Sequence, residues 1–276
     1  MKINYLCKKL STTVKILVTN DDGYEARGLK VLVGIVRSMG DLTVIAPKYP
    51  QSAMSTAVTM GGKSIAVKQI SNDPKESWWY MDATPASCVK FAFDEIFWPK
   101  KPDILFSGIN HGANTASAEL YSATLGAAEE GALAGIPSFG ISLDSYDVGA
   151  DMSAIEKYLP GIIQKILKHK SKKRGLFYNI NFPALPADKI KGIRVCHQGV
   201  NHWEREFKRV DPEPDAEEGE KFYVIVGDIV DNKENIEPAD HHYLGCGYIT
   251  IVADNIDATD YEENGRLRDL EMDCNF

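Results

Sequence analysis

The feature that most constrains this chain is the run "KILVTNDDGYEARGLKVLVGIV", which begins at Lys15. Val14 to Thr19 is apolar and β-branched, the composition of a strand buried on both faces. From Gly28 to Met39, the residues Leu29, Leu32, Val33 and Val36 recur at helical spacing, and Gly40 closes the segment. Leu42 to Ala46, "LTVIA", is a second short buried strand. A strand, a helix and a strand within about 30 residues imply a parallel sheet with a right-handed crossover. Between the first strand and the helix stand Asp21 and Asp22. Adjacent carboxylates repel, so either something compensates them or the pair lies in water.

The alternation continues. Trp78 to Met81 reads as a strand and Pro85 to Phe97 as a helix with proline in its first turn. "PDILFSGIN" is a strand ending in a turn, and Tyr121 to Ala134 is a helix whose Ala and Gly content allows close packing on a sheet. "SFGISL" is a strand, Met152 to His169 an amphipathic helix interrupted by Pro160 and Gly161, and "LFYNINFP" a further strand. These elements predict an α/β fold with a Rossmann-like, doubly wound, mostly parallel sheet, its core spanning about residues 14–186. From about Lys191 to the end at 276, "IRVCHQ", "KFYVIVGDIV" and "GYITIVA" offer strands without helices between them. That stretch reads as a β-rich elaboration of the same domain, and the acidic "DPEPDAEEGE" within it as a solvated loop.

Composition removes several function classes. Lys and Arg total 31 against 39 Asp and Glu, a formal charge of -8 with no basic run, which argues against binding nucleic-acid polymers or anionic membranes. No apolar run is long enough to span a bilayer, and "MKINYLCKKLSTTV" lacks the apolar stretch of a signal peptide. The five cysteines are scattered, with no Cys-x-x-Cys pair, so a reduced, cytoplasmic protein is expected.

In an open α/β sheet, ligands bind beyond the carboxyl ends of the strands. "NDDG" would make an ordinary turn. It would also make a divalent-metal site, where Mg²⁺ or Mn²⁺ cancels the repulsion of Asp21 and Asp22. The loop "APKYPQSAMS" adds Ser52 and Ser55, and "SGINHGANT" adds Asn110 and Asn114. This oxygen-only set favours Mg²⁺ or Mn²⁺ over Zn²⁺; His111, beside a glycine, reads as a surface histidine. Gly23, Ser107, Gly108 and Gly112 let an anion approach backbone N–H groups, and Ser122 and Thr124 stand at a helix start, where a phosphate or an ordinary cap would be equally at home.

"ILVTNDDG", "APKYPQSAMS", "SGINHGANT", "YSATLGAAEEGALAGIPSFGIS" and "YNINFP" occur in this order between about Lys15 and Pro183, with "ATPASCVKFA" between the second and third. Together they resemble the SurE family of survival proteins, which are 5'-nucleotidases. The resemblance implies a cytoplasmic enzyme that hydrolyses nucleoside monophosphates with one divalent metal per subunit. It places metal ligands on Asp21, Asp22, Ser52 and Asn110. Asn20, Gly108, Asn114, Ser122 and Thr124 are the candidates for the phosphate and substrate side. Asp21 or Asp22 would also accept the proton of an attacking water. Ala83 and Ala123 stand where the family usually has glycine, which bears on substrate preference.

Three rivals fit less well. A receiver-like regulatory module needs a third aspartate at the end of its third strand, where this chain has "SGIN". A haloacid-dehalogenase-type phosphatase spaces its aspartates two apart. A dinucleotide oxidoreductase needs Gly-x-Gly-x-x-Gly, which "NDDGYEARG" lacks. The apolar C-terminal strands need partners, and the resemblance implies exchanged C-terminal segments, so a homodimer or tetramer is expected.

Overall fold

The computed structural model describes residues 13–270 apart from 63, 170, 172, 213, 215, 234 and 236–238. Cys7, Cys274 and the segment "MKINYLCKKLST" lie outside the described residues. In chain order the elements are β1 (Lys15–Thr19), α1 (Arg27–Val36), β2 (Asp41–Pro47), β3 (Val67–Asp73), β4 (Glu76–Met81), α2 (Pro85–Phe91), β5 (Ile104–His111), α3 (Ala123–Leu133), β6 (Ser138–Asp144), α4 (Ser153–Lys168) and β7 (Leu176–Pro183). Then follow β8 (Ile193–Val195), β9 (Asn201–Glu204), β10 (Phe207–Val210), β11 (Phe222–Ile225), β12 (Asp228–Asp231), α5 (Asp240–Gly245), β13 (Ile249–Asn255) and α6 (Tyr261–Arg266).

Nine strands form one sheet in the order β3-β4-β2-β1-β5-β6-β7-β13-β8. The inner run β4-β2-β1-β5-β6-β7 is parallel throughout, and β3 and β13 join it antiparallel. The chain leaves β1 toward β2 on one side and returns to the other side at β5. The sheet order therefore reverses between β1 and β5, which opens a crevice at their carboxyl ends. The pleat divides the core. Ile16 and Val18 face the α1 and α4 layer, with Leu32, Val36, Ile155 and Leu159, whereas Leu17 faces Val89 and Ala127 of α2 and α3. Phe106, Phe139 and Tyr178 stack across β5, β6 and β7 with centroids 5.1 and 5.2 Å apart.

Some expectations need correction. Helix α4 is continuous through Pro160. Proline lacks one N–H there, but Ile155, Leu159, Ile162 and Ile163 bury one face and hold the helix together. The predicted helix at Pro85 turns from α into π winding at Ala92. Strand β3 carried no sequence signal, because as an edge strand it is mostly exposed on both faces. "KFYVIVGDIV" is two strands, broken at Gly227, whose φ is +140°. With β9 and β10 they form an antiparallel ribbon, pairing Asp231 with Asn201 and Phe222 with Val210. "GYITIVA" does not lack partners: β13 pairs with β7 over six residues, from Thr250–Asn181 to Asn255–Leu176, and with β8 on its other side. Helices α5 and α6 were not foreseen in the stretch read as β-rich.

Close packing fixes one loop. A Cβ on Gly126 of α3 would stand 2.1 Å from the Ser55 carbonyl oxygen, in the loop after β2. Gly34 of α1 has open space at the same position. Glycine to alanine inside a helix usually stabilises by about 0.5–1 kcal/mol. Gly34→Ala should therefore raise the urea midpoint. Gly126→Ala should lower it, with a loss of ~1–3 kcal/mol in stability, because backbone must move. Equal gains in both variants would show that α3 does not touch this loop.

Candidate functional site

The first strand ends in a turn that is tied to both neighbours. Asn20 Nδ2 donates to the Gly23 carbonyl (3.0 Å), and Gly23 takes φ +100°. Gln51 N donates to Asp21 O (2.8 Å) and Tyr24 N to Pro47 O (3.0 Å), which lock the turn to the loop after β2. His111 N donates to Asp22 Oδ2 (3.3 Å), which locks it to β5.

The carboxyl ends of β1, β2 and β5 line a cleft of about 550 Å³. Asp21, Asp22, Ser52, Asn110, Asn114 and Ser122 all line it. Another cavity, of about 390 Å³, lies at the opposite strand ends around Pro137 and Leu176, away from these residues.

Asp21 is buried, and Thr124 Oγ1 donates to its Oδ1 at 2.5 Å. Burial pushes its carboxyl from 3.8 up to about 7, Thr124 partly opposes this, and repulsion from Asp22 adds to it. Asp22 is half-buried; burial raises its carboxyl too, while the His111 N–H opposes. The larger cost of the pair is thus desolvation, with mutual repulsion second. Besides His111, the one basic side chain among the described lining residues is Arg27, whose Nη1 donates to the carbonyls of Val148 and Ala150. The donors facing the cleft are carboxylate, amide and hydroxyl oxygens, the set that suits a hard divalent cation. Asn110 Nδ2 is held by Gly112 O (2.8 Å). Buried polar atoms without a partner stand nearby, namely Asn20 Oδ1 and both His111 ring nitrogens. These residues fit a divalent metal.

The remaining sequence candidates fall differently. Thr124 lies behind Asp21 rather than on the cleft, because its hydroxyl is held by that carboxylate. Asn20 is buried within the turn, and Gly108 is buried in β5, where a Cβ would stand 2.3 Å from Ile141 O. Neither lines the cleft. Asn114 reaches it but is held by a buried network: its N–H donates to Asn181 Oδ1 (2.8 Å) and its Nδ2 to Ser142 Oγ (2.8 Å). Ser55 Oγ donates to Leu120 O and is not a lining residue. Ser122 caps α3 by accepting from Leu125 N (3.1 Å) and leaves the start of that helix at the cleft. His111 is not a surface histidine, since its ring nitrogens are buried. Arg27, Tyr121 and Tyr146 also line the cleft, and no spacing in the sequence marks them.

A mostly parallel open sheet with an acidic, oxygen-rich crevice at its switch point defines an α/β protein with its ligand site at the carboxyl ends of the strands. Comparison with known proteins narrows the class. Residues 16–205 match the family described as survival protein SurE, and the chain belongs to that family. It is 39% identical over 246 residues to a 5'-nucleotidase SurE of Christiangramia forsetii, covering 88% of this chain and 92% of that protein. It is 36% identical over 253 residues to a 5'-nucleotidase SurE of Cytophaga hutchinsonii, covering 91% and 95%. The crystal structure of the Sure protein from Aquifex aeolicus is similar with a TM-score of 0.77 and 29% identity, over 94% of this chain and all of that one.

The buried acid gives a pH signature. Asp21 titrates near 3.8 unfolded and about 7 folded, so the fold holds this proton more tightly. Its ionisation costs nothing below pH 3.8, costs more as pH rises toward 7, and costs most above 7. In EDTA, Asp21→Asn should therefore melt above wild type by a margin that grows from about pH 4.5 to about pH 8, on the order of a few kcal/mol at most. A margin that does not change with pH would show that burial is not the cause.

Proposed function

We propose that this protein is a divalent-metal-dependent 5'-nucleotidase, cleaving nucleoside 5'-monophosphates to nucleoside and phosphate. The observation that carries the reading is the convergence of Asp21, Asp22, Ser52 and Asn110 on one cleft beside the start of α3. The naming of its relatives as 5'-nucleotidases supports the substrate class. A bound Mg²⁺ or Mn²⁺ would polarise the phosphate and lower the pKa of a water.

The chain's own residues do the rest. Asp21, fixed by Thr124, supplies a charged ligand that cannot swing away. Asp22 Oδ2 accepts from His111 N, which orients the carboxylate that would ligate the metal or accept the water's proton. Ser52 and Asn110 complete the ligand set as neutral oxygens. Backbone N–H groups at the start of α3 would donate to the phosphate oxygens. Tyr121, Tyr146, Ala118 and Val148 form the apolar wall of the cleft, and both tyrosines are well exposed, at 55% and 88%. Such a wall suits a nucleoside better than a small sugar.

We also assign the ribbon as the contact between copies in a cytoplasmic homodimer or tetramer. Phe207 and Ile225 on it are 69% and 75% exposed, and an uncovered apolar ribbon is marginal in water. Light scattering of the full-length protein tests this, since a monomer of 30.6 kDa would refute it.

The purified protein should release phosphate from 5'-nucleoside monophosphates faster than from sugar phosphates, and lose the activity in EDTA. Asp22→Asn should fold and lose on the order of 10²–10⁴ in turnover, since 1.4 kcal/mol is about tenfold. Ser52→Ala and Asn110→Ala should mainly raise the Mg²⁺ or Mn²⁺ concentration needed, because a neutral ligand holds a cation less strongly than a carboxylate. Activity that survives exhaustive chelation would refute the mechanism.

A further inference from the structure

Among the described residues, a second group of metal-ligating side chains stands outside the cleft. Asp231 ends β12 at the base of the ribbon, and His241 and His242 lie in the first turn of α5. One ligand atom from each lies within 4.8 Å of the others. His241 Nε2 is 3.0 Å from Asp231 Oδ1, and His242 Nε2 is 2.6 Å from Asp231 Oδ2. Adjacent helical residues diverge by about 100°. Here both rings nevertheless converge on one carboxylate, with centroids 4.1 Å apart.

The surroundings of His241 sharpen the point. Its Nδ1 lies 3.4 Å from Oδ1 of Asp240, which is fully buried. Its imidazole therefore stands between carboxylates on both nitrogens. A neutral imidazole carries one N–H. If Nδ1–H donates to Asp240, Nε2 turns a lone pair toward Asp231, and lone pair faces lone pair. A cation at Nε2 removes the conflict. It also makes the carboxylate–histidine–metal arrangement by which proteins orient a metal-binding imidazole.

We propose that Asp231, His241 and His242 form a second metal site, which takes Zn²⁺ or a similar transition cation and fastens the base of the ribbon to α5. Two imidazoles and a carboxylate select such ions, unlike the oxygen-only set at Asp21 and Asp22. Tetrahedral ligands at bond lengths of 2.0–2.1 Å stand roughly 3.3 Å apart. The Asp231 contacts need to open by less than about 1 Å to admit the ion. Asp231 and His242 are partly exposed, so water can fill the remaining position. Asp240 also accepts from Ala116 N and Gly199 N. The clamp thus reaches the turn that carries Ala118 and Tyr121 to the cleft wall.

The test uses untagged, full-length, chelator-stripped protein carrying Asp21→Asn and Asp22→Asn, so that the cleft does not compete. Zn²⁺ alone is titrated by calorimetry, and Co²⁺ alone by visible absorption. We expect one Zn²⁺ per chain, and the visible bands of tetrahedral Co²⁺. Adding His241→Gln and His242→Gln should weaken Zn²⁺ binding by more than the roughly 10–100-fold that a lost outer-shell partner costs, and abolish the Co²⁺ bands. Adding the near-isosteric Asp231→Asn instead should also weaken binding, and decides the matter if the histidine variant does not fold. No Zn²⁺ binding in the parent, or equal binding in the Asp231→Asn protein, overturns the proposal and leaves the cluster a hydrogen-bonded ion pair.

Discussion

The burial of the Asp21 carboxyl organises the site. A carboxylate in the interior is costly unless it is hydrogen-bonded or paired with a cation. Thr124, at the start of α3 behind Asp21, supplies one strong hydrogen bond, and little else in the protein neutralises the charge. The carboxyl therefore titrates near 7, close to the pH at which the protein would work. A carboxyl poised there exchanges a proton for a cation at little cost. Repulsion from Asp22, the conspicuous feature in the sequence, is the smaller effect, because Asp22 is less buried and bonded to His111 N. The same hydrogen bond that orients Asp21 fixes the start of α3 beside it.

That contact holds only because the surrounding backbone approaches closely. Gly126 brings α3 against the loop that presents Ser52. Gly108 lets β5 lie against the Ile141 carbonyl at φ +130°, where a side chain would meet backbone. Behind the cleft, Asn114, Ser142, Asn179 and Asn181 form a buried hydrogen-bonded network across β6 and β7. Each amide there is oriented by the next, and Asn114 has a supporting part as a consequence. A fully satisfied polar network is rigid, and rigidity at strand ends sets ligand positions to within tenths of an ångström.

The parallel half of the fold was legible because its signals are local. Ile16 to Thr19, Ile104 to Phe106 and the α1 spacing each announce their element by apolar period, and strand-to-helix turns at Asp21 and Asn110 announce a switch-point site. The residues that point into the cleft were legible as polar loop ends. Their partners were not. That Thr124 meets Asp21, 103 positions away, follows from how α3 docks, and no local pattern carries it. His111 reads as a surface residue for the same reason: its neighbours in sequence are turn residues, while its neighbours in space bury its ring nitrogens. The C-terminal third failed differently. The short helix α5 that separates them shows no helical period in sequence, so nothing local distinguishes β13, which completes the main sheet, from β11 and β12, which leave it.

That distinction changes what the C-terminal third does. Asp240 is fully buried, 124 positions from Ala116, and its carboxylate receives N–H groups of Ala116, Gly199 and His241. A buried carboxylate with several N–H partners is a stable hub, and removing any partner leaves desolvated charge uncompensated. Ala116 opens the turn that ends at Tyr121 and Ser122, so one wall of the cleft is suspended from a residue in α5. Tyr121 also meets Trp203 of the ribbon, with centroids 5.9 Å apart. The parallel sheet thus supplies the acidic side of the cleft, while the segments after β7 hold the opposite wall. Variation in those later segments can reshape that wall without touching Asp21 or Asp22, which is a physical reason for a weak sequence pattern there beside a sharp one at the acidic side.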